Sequence, residues 1–301
     1  MKEFNIPIVI FTYKRPSHTQ KLLDAIKKVN PKTIYIVADG PKNKKEAIKT
    51  QEVTSVVNSK KWASNIYIYI SKKNLGLRRR VASGLDWVFE NTDTAIILED
   101  DLIPDKSFFY FCEEMLDKYK NNHQIVSIAG YNKKEKVSIK ESYYFSKYVE
   151  SWGWATWRRA WDLYDDKMQN WPQLKNTSWL SQQLNNPILV KYWKQIFNRV
   201  YSSKINSWAY RWMYSSFINS GLTIVPKSNL IEYHGYGEGA THTKYSRAVI
   251  PVGKLNFPIT HPNKVSYNRS LDRHLEKKLI RNYIFSILGY YARKLIGKIK
   301  S

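Results

Sequence analysis

Strand-like and helix-like segments alternate through the first third of this 301-residue chain. Short apolar runs predict four strands, at Pro7–Thr12, Thr33–Ala38, Asn65–Ile70 and Ala95–Leu98. Apolar residues at helical spacing predict three helices between them, at Ser17–Val29, Glu46–Val57 and Arg78–Glu90. Strands that alternate with helices favour a parallel sheet with right-handed crossovers. The pattern therefore predicts an α/β fold with a Rossmann-like sheet and helices on both of its faces.

The loops that follow the predicted strands are the expected place for a ligand, because parallel sheets bind ligands beyond the carboxyl ends of their strands. Four loops meet there: Thr12–Pro16, Asp39–Pro41, Asn74–Arg80 and Glu99–Pro104. The last loop begins with three consecutive acids, Glu99, Asp100 and Asp101. Adjacent carboxylates repel one another, and a divalent cation removes that cost. Two interpretations are open, a solvated acidic turn and a metal–diphosphate site that holds Mn²⁺ or Mg²⁺.

The formal net charge of +24 indicates a polyanionic partner, which is a nucleic acid, an anionic membrane surface or a phosphate-bearing substrate. No helix-turn-helix, zinc or RNA-recognition signature is present, so we do not expect a nucleic-acid partner. A nucleic-acid-binding protein and a nucleotidyltransferase are kept as alternatives. Cys112 is the single cysteine, which excludes an internal disulfide framework and suggests a reducing compartment.

The C-terminal segment is basic and partly apolar. From Lys277 onward it contains seven Lys or Arg residues and no Asp or Glu. This composition predicts an amphipathic helix that lies on an anionic membrane through residues 275–301. A helix packed on the protein with a solvated basic face is the other interpretation. Because no run of apolar residues is long enough to span a bilayer, we expect a cytoplasmic protein, peripheral on the inner face of the cytoplasmic membrane.

Tryptophan is concentrated after residue 150, where nine of the eleven tryptophans occur. Some of them must fill the core, but tryptophan faces also bind the apolar faces of sugars. The dense stretch Trp152–Trp157 favours a binding wall, and the residues predicted to contact an acceptor are Trp152, Trp154, Trp157 and Trp208. The glycine-rich stretch Gly235–Thr243 is typical of a loop that closes over a ligand. His242, within that stretch, is either a metal ligand or a polar loop residue.

Three stretches together resemble a known family. They are Asn74-Leu75-Gly76 with the basic residues that follow, Ile96–Asp105 with Phe108-Phe109, and Trp152–Arg158 with Gly235–Thr243 downstream. Over about residues 5–262, the chain resembles bacterial GT-A glycosyltransferases of the hemolysin-related, family-2-like kind. It is more distantly similar to N-acetylglucosaminyltransferase I.

The resemblance implies an inverting transfer of a sugar from a nucleotide-sugar, usually UDP-linked. The expected acceptor is a saccharide or a lipid-linked glycan in surface-glycan (lipopolysaccharide or capsule) biosynthesis. By position, Asp101 would hold Mn²⁺ or Mg²⁺, while Glu99 and Asp100 would contact the donor sugar or the ribose. The other implied donor-binding residues are Thr12, Arg15, Asp39, Asn74, Gly76, Arg78, Arg79 and His242.

The resemblance also implies a division of the chain. Residues 1–130 would form a nucleotide-sugar-binding half, and residues 131–262 an acceptor-binding half that includes the donor-closing loop. Residues 263–301 would form the basic amphipathic tail.

One position departs from the family pattern. Family members resemble Trp-Asp-Tyr-x-Trp where this chain has Trp208-Ala209-Tyr210-Arg211-Trp212. The family's Asp fits the general base that deprotonates the acceptor hydroxyl, and alanine cannot accept a proton. Three explanations are open: an engineered Asp→Ala variant, which we favour, a slow or non-catalytic natural protein, or another acid that takes the role. The acids considered are Asp165, Asp166, Glu232 and Glu238.

Overall fold

The computed structural model of the chain describes residues 2–134, 137–235 and 250–299, the last range with side chains as far as residue 289. It divides into two compact units. Unit one comprises residues 1–166 and 207–267, and unit two comprises residues 167–206 and 268–301. Within the described residues, no helix is both long enough and apolar enough to cross a membrane.

Unit one is built on an eight-stranded sheet. Its strands are β1 (Ile8–Thr12), β2 (Thr33–Ala38), β3 (Asn65–Ile70), β4 (Thr94–Glu99), β6 (Ile125–Ala129), β7 (Tyr143–Ser146), β8 (Trp154–Trp157) and β9 (Leu222–Pro226). A separate two-stranded ribbon pairs β5 (Leu102–Pro104) with β10 (Ile231–Tyr233) in antiparallel orientation. The order in the large sheet is β3-β2-β1-β4-β8-β6-β9-β7.

The four strands predicted from the sequence are confirmed, and they form one parallel block, β3-β2-β1-β4. Beyond β4 the sheet becomes mixed, since β8 runs antiparallel to both β4 and β6. The α/β fold class is therefore confirmed. The mixed half carries no regular strand–helix alternation in the sequence, which is why the prediction stopped at the parallel block.

Helices flank this sheet. Those of unit one are α1 (Pro16–Lys27), α2 (Lys44–Asn58), α3 (Leu77–Asn91), α4 (Lys106–Lys118), α5 (Arg158–Trp161) and α9 (Trp208–Ile218). Helix α3 lies close to the sheet at Gly84, where a Cβ atom would stand 2.5 Å from Val37 and 2.8 Å from Phe11. On α4, Cys112 is buried and unpaired with another cysteine, as expected.

Unit two is helical. Its helices are α6 (Trp171–Leu174), α7 (Trp179–Leu184), α8 (Pro187–Tyr201) and α10 (Arg269–Ile299). Helix α10 packs on α8 through an edge-to-face contact of Tyr283 with Tyr192, with ring centroids 5.7 Å apart. The predicted C-terminal helix is therefore present, and it begins before the predicted basic segment.

The predicted boundary at residue 130 does not divide the protein. Residues on both sides of it share one sheet, because β8 inserts between β4 and β6. The contact boundaries fall instead at residues 166, 206 and 267. Because β8 lies between β4 and β6, the two predicted halves share one sheet. The local sequence pattern does not reveal this pairing between distant segments.

Candidate functional site

The loops after β1, β2, β3 and β4 lie at one edge of unit one, because these strands are parallel. The carboxylate of Asp39, directly after β2, holds two of the loops together. It accepts hydrogen bonds from the backbone N–H groups of Gly40, Leu75 and Gly76, each at 2.9 Å, and from the Asn74 side chain at 3.1 Å. Asp39, Asn74 and Gly76, all predicted as donor-binding residues, thus form one hydrogen-bonded anchor around the buried Asp39 side chain.

A second anchor was missed by the sequence analysis. Glu46, in the first turn of α2, accepts hydrogen bonds from the Tyr13 hydroxyl and the Lys14 ammonium, both at 2.5 Å, and from the Lys42 N–H at 3.0 Å. The bond from Lys14, then that from Tyr13, lowers the pKa of Glu46 to about 2. The Asn74 amide also donates to the Tyr13 hydroxyl oxygen at 3.0 Å. Glu46 therefore links the loops after β1 and β2 to the loop after β3.

The three acids follow β4, beside the loops that Asp39 and Glu46 hold together. The N–H of Asp100 donates to the carbonyl of Phe11 at 3.0 Å, which continues the pairing of β4 with β1. Asp100 is buried, and its carboxylate also receives hydrogen bonds from Thr12 and from the Tyr13 backbone. Thr12, predicted to touch the nucleotide, is thus also a support for Asp100.

Among the residues that the structure describes, Arg15 forms ion pairs with two of these acids. Its Nη1 lies 2.9 Å from Oδ2 of Asp101 and 3.7 Å from Oδ1 of Asp100. Burial, then the neighbouring charges of Asp101 and Asp100, raises the pKa of Glu99 to about 8. Burial and then Asp101 raise the pKa of Asp100 to about 7. One arginine therefore does not neutralise the triplet, and the site favours a further cation.

The β5–β10 ribbon brings a second group of residues to the triplet. His234, directly after β10, donates its backbone N–H to the carbonyl of Asp101 at 2.8 Å. Its Nε2 lies 3.1 Å from Oε1 of Glu232, and its carbonyl lies 3.3 Å from Nε2 of His18. At Gly235, a Cβ atom would stand 2.6 Å from Oδ2 of Asp101. The sequence analysis missed both histidines, although a histidine between a short strand and a glycine-rich stretch was a usable signal.

Within the described residues, no group of three or more His, Cys, Asp or Glu side chains is arranged to hold a metal ion. A protein-only metal cage therefore does not fit. Asp101 does fit the role of a single carboxylate ligand for Mn²⁺ or Mg²⁺, ions that proteins hold through one or two carboxylates plus substrate phosphates.

The arginines at the start of α3 take different positions. Arg78 donates to Oδ2 of Asp166 at 2.5 Å, whereas Arg79 is exposed. Arg80 is buried, with its guanidinium 4.0 Å from the Tyr69 ring centroid. Of the two arginines predicted to bind the donor, Arg79 is open to solvent, whereas Arg78 is held by Asp166.

Ala209 lies in the first turn of α9, which Ser207 caps by accepting the N–H of Tyr210 at 3.3 Å. Arg211 donates to the carbonyls of Ser207 and Asp166, at 3.0 and 2.7 Å. Asp166 therefore lies beside the turn that carries Ala209.

The other acids considered as a base are placed differently. Asp165 is held through its backbone N–H, which donates to the Ser215 hydroxyl at 2.9 Å. Glu232 pairs with His234. Glu238 and His242 lie outside the described residues, as does most of the Gly235–Thr243 stretch.

The predicted tryptophan wall needs correction. Trp154, Trp157 and Trp208 are core residues, with exposed fractions of 1%, 3% and 3%. Trp154 stacks on Trp208 with ring centroids 5.7 Å apart, so their faces are covered by each other. These three side chains present no surface to an acceptor, because they are buried. The prediction was wrong for them because a high density of tryptophan in a sequence does not reveal which side chains the fold buries.

Trp152 is different, because it is only half-buried. It stacks on Tyr233 with ring centroids 4.3 Å apart and an interplanar angle of 9°. Tyr233 directly precedes His234, so this aromatic pair stands beside the acidic triplet. Trp152 is the one of the four predicted tryptophans that remains available as a binding surface.

No protein-family model and no curated protein matches the sequence. Among solved structures, the chain is similar to a mannosyltransferase from Pyrobaculum calidifontis in complex with GDP-Man and Mn²⁺, with 12% identity, a TM-score of 0.37, and coverage of 52% of this chain and 45% of that chain. It is also similar to the galactosyltransferase LgtC in complex with donor and acceptor sugar analogues, with 11% identity, a TM-score of 0.35, and coverage of 57% and 66%.

A third similar structure is a UDP-glucose pyrophosphorylase complexed with UDP-glucose, with 10% identity, a TM-score of 0.34, and coverage of 52% of this chain and 78% of that chain. The chain thus spans 45% of the length of the first of these structures and 66% of the length of the second.

The raised pKa of Glu99 predicts a pH-dependent stability for the metal-free protein. Between its ordinary value of 4.5 and about 8, the folded state keeps a proton on Glu99 that the unfolded state releases. Rising pH in this window therefore favours unfolding. In EDTA, the melting temperature of Glu99→Gln should fall less than that of the wild type from about pH 5 to about pH 8. The exposed Glu90→Gln variant is the control for loss of a carboxylate elsewhere. If the melting temperatures of Glu99→Gln and the wild type fall equally with pH, the raised pKa assigned to Glu99 is contradicted.

Proposed function

We propose that the protein is a metal-dependent, inverting glycosyltransferase that uses a nucleotide-sugar, UDP-linked, as its donor. The acceptor is a saccharide or a lipid-linked glycan in surface-glycan biosynthesis. The observation that carries this proposal is the acidic triplet after β4. Asp100 is buried, Glu99 and Asp101 are partly buried, and Arg15 neutralises the three acids incompletely. Loops from three other parallel strands surround the triplet.

A nucleoside diphosphate group with its cation matches this site in charge. Asp101 would hold the Mn²⁺ or Mg²⁺ ion, which when bound would stabilise the charge that develops on the leaving diphosphate. Arg15 donates to Asp101 in the structure, and its guanidinium is also suited to bidentate donation to phosphate oxygens. Exposed Arg79 adds positive charge at the start of α3.

The hydrogen bonds of Asp39 and Glu46 support the proposed orientation of the donor. Asp39 and Glu46 hold the loops after β1, β2 and β3 in one arrangement, so little reorganisation is needed when a donor binds. Glu99 and Asp100 are proposed to contact the donor sugar or ribose. Trp152, stacked on Tyr233, is proposed to contact the acceptor sugar.

The acceptor's proton has no established destination in this chain. Ala209 cannot accept it, and Asp166, beside the same turn, is held by Arg78 and Arg211. We therefore propose that the residue at position 209 limits turnover.

The central experiment measures donor binding by thermal shift and donor hydrolysis by release of the nucleoside diphosphate. UDP-sugars and GDP-sugars are tested with and without Mn²⁺. A metal-dependent shift by at least one nucleotide-sugar is expected, and Asp101→Asn should abolish it because the proposed carboxylate ligand is lost. Asp117→Asn, an exposed acid on α4, is the control and should behave as the wild type.

Other outcomes of this experiment would favour the alternatives. Salt-sensitive RNA binding without any nucleotide-sugar effect would support the nucleic-acid-binding protein suggested by the charge of +24. Formation of a nucleotide-sugar from a nucleoside triphosphate and a sugar phosphate would support a nucleotidyltransferase. An Asp101→Asn protein with unchanged metal-dependent binding would contradict the proposed site.

Restoring a carboxylate at position 209 is expected to accelerate transfer. A general base contributes roughly 10²–10⁴-fold in rate, so Ala209→Asp should raise turnover to an acceptor by that order while leaving donor affinity unchanged. Ala209→Asn is the matched control, since it has similar size and no basic carboxylate. Equal turnover of the two variants would refute a missing base at this position.

We further propose that α10 places the protein on the cytoplasmic face of an anionic membrane. Basic residues lie along its described part at Arg273, Lys277, Lys278 and Arg281. Three large apolar side chains are exposed on it: Ile284 at 41%, Phe285 at 63% and Leu288 at 58%. An exposed apolar group next to basic residues matches an interfacial helix better than a fully packed one.

This proposal predicts a loss of vesicle binding when the exposed apolar side chains are removed. The double variant Phe285→Ser and Leu288→Ser should bind vesicles rich in phosphatidylglycerol several-fold more weakly than the wild type in a sedimentation assay. The variant Ile188→Ser changes another exposed apolar residue of unit two, on α8, and should bind as the wild type. Undiminished binding of the double variant would refute α10 as the anchor.

A further inference from the structure

The outermost strand of the large sheet, β3, has an unusual exposure. It occupies one end of the strand order, and within the described residues no other strand pairs with its outer edge. Its sequence, Asn65-Ile-Tyr-Ile-Tyr-Ile70, contains no charged residue and no proline. Four of its large side chains are exposed: Tyr67 at 48%, Ile68 at 41%, Tyr69 at 36% and Ile70 at 46%. Edge strands normally carry lysine, proline or a bulge that prevents pairing, and β3 carries none of these.

The hydrogen-bonding groups of β3 alternate in direction. The N–H of Asn65 donates to the carbonyl of Lys32 at 2.8 Å, and the N–H of Ser71 donates to the carbonyl of Ala38 at 3.0 Å. In a parallel pair with an unbroken register, every second residue directs its N–H and C=O to the same neighbour. The odd-numbered residues therefore bond to β2. Ile66, Ile68 and Ile70 direct their backbone groups outward.

The side chains of β3 also divide between the two faces of the sheet. Tyr67 stacks on Tyr35 with ring centroids 5.1 Å apart, and Tyr69 contacts Trp87 of α3 with centroids 5.2 Å apart. The two tyrosines thus lie on the face covered by α3, and the isoleucines lie on the opposite face. Because both faces remain exposed, burial of β3 requires another strand beside it rather than a helix on one side.

We propose that β3 pairs in antiparallel orientation with β3 of a second copy of this chain, so that the two sheets join into one. A closed two-fold dimer requires a self-complementary edge, and antiparallel pairing about an axis perpendicular to the sheet meets that requirement. Such an axis keeps each side chain on its own face. Residues whose backbone N–H and C=O groups point outward must then lie opposite one another. In β3 these are the even-numbered residues, which therefore form the backbone hydrogen bonds between the two copies.

Centring the axis on Ile68 uses all of these outward groups. Ile68 then lies opposite its own copy, Ile66 lies opposite Ile70, and Tyr67 lies opposite Tyr69. Cross-strand aromatic pairs and pairs of β-branched residues are among the favourable ones in sheets. The pairing covers the exposed side chains of both faces at once.

Charge at the two ends of the strand supports this register. The hydroxyl of Ser64 donates to the carboxylate of Glu3, and Lys72 is exposed. In the proposed register, the partner's Lys72 lies opposite Ser64, so that an ammonium faces the Glu3 carboxylate at each end. These two attractions oppose the general repulsion between chains of net charge +24.

The first test is the mass of the full chain in solution. Sedimentation and light scattering across micromolar to submillimolar concentration should show the wild type as a dimer with twice the mass of one chain. Ile68→Lys places a charge at the centre of the interface and should produce a monomer. Ile48→Lys, at an exposed isoleucine of α2 instead of β3, is the matched control and should remain dimeric. A wild type that is monomeric throughout this range overturns the proposal.

The second test uses a charge exchange that does not touch the strand itself. Glu3→Lys alone and Lys72→Glu alone should each weaken the dimer several-fold, because each places like charges opposite one another. The double variant Glu3→Lys, Lys72→Glu should restore the wild-type dissociation constant. A double variant that dimerises as weakly as the single variants would overturn the register. This charge-exchange test does not depend on whether Ile68→Lys folds.

The third test is amide hydrogen exchange of the wild type. In the dimer, the amides of Ile66, Ile68 and Ile70 should gain protection as protein concentration rises. Those of Tyr67 and Tyr69, already bonded to β2, should be protected at all concentrations. Concentration-dependent dimers in which the three isoleucine amides stay unprotected would place the interface elsewhere and refute the proposal.

Discussion

Concentrated negative charge at the end of β4 is the constraint on which the rest of the site depends. Glu99, Asp100 and Asp101 are close to one another and mostly removed from water, which raises the pKa values of the first two. The nearby Arg15 contributes one positive charge. The surrounding elements either offset this charge, as Arg15 does, or hold the triplet in place, as the β1 pairing and the β5–β10 ribbon do.

The loops around the triplet are held together for a related reason. Asp39 and Glu46 are anions that each satisfy several donors from neighbouring loops, and such charge-assisted bonds are stronger than neutral ones. The protein therefore uses two carboxylates to build the floor of the site and leaves three others beside it. The fully bonded carboxylates Asp39 and Glu46 hold the loops in place, and Asp101 in the triplet is the carboxylate proposed to bind a cation.

Much of the candidate site could be predicted from local sequence. The loops that contain Asp39, Asn74 and Gly76 were predicted from local sequence, and the structure joins these residues in one set of hydrogen bonds. Their donor-binding role stays a prediction. Glu46, His18 and His234 were not found, because each acts through partners distant in sequence, such as Glu46 with Tyr13. The tryptophans show the opposite error. Trp152 and Trp154 look equivalent in the sequence, yet one is half-buried and the other is a core residue.

The sequence by itself determined the parallel block of four strands, their connecting helices and the position of the acids after β4, since these follow from local periodicity. Tertiary structure decided which charges meet: Arg15 reaches Asp101 across 86 positions of the chain, and β10 carries His234 to the same acid. It also decided that β3 lies at the edge of the sheet with both faces exposed. The physical reason is that burial and long-range pairing depend on how whole elements pack, whereas local patterns record only the preferences of each segment.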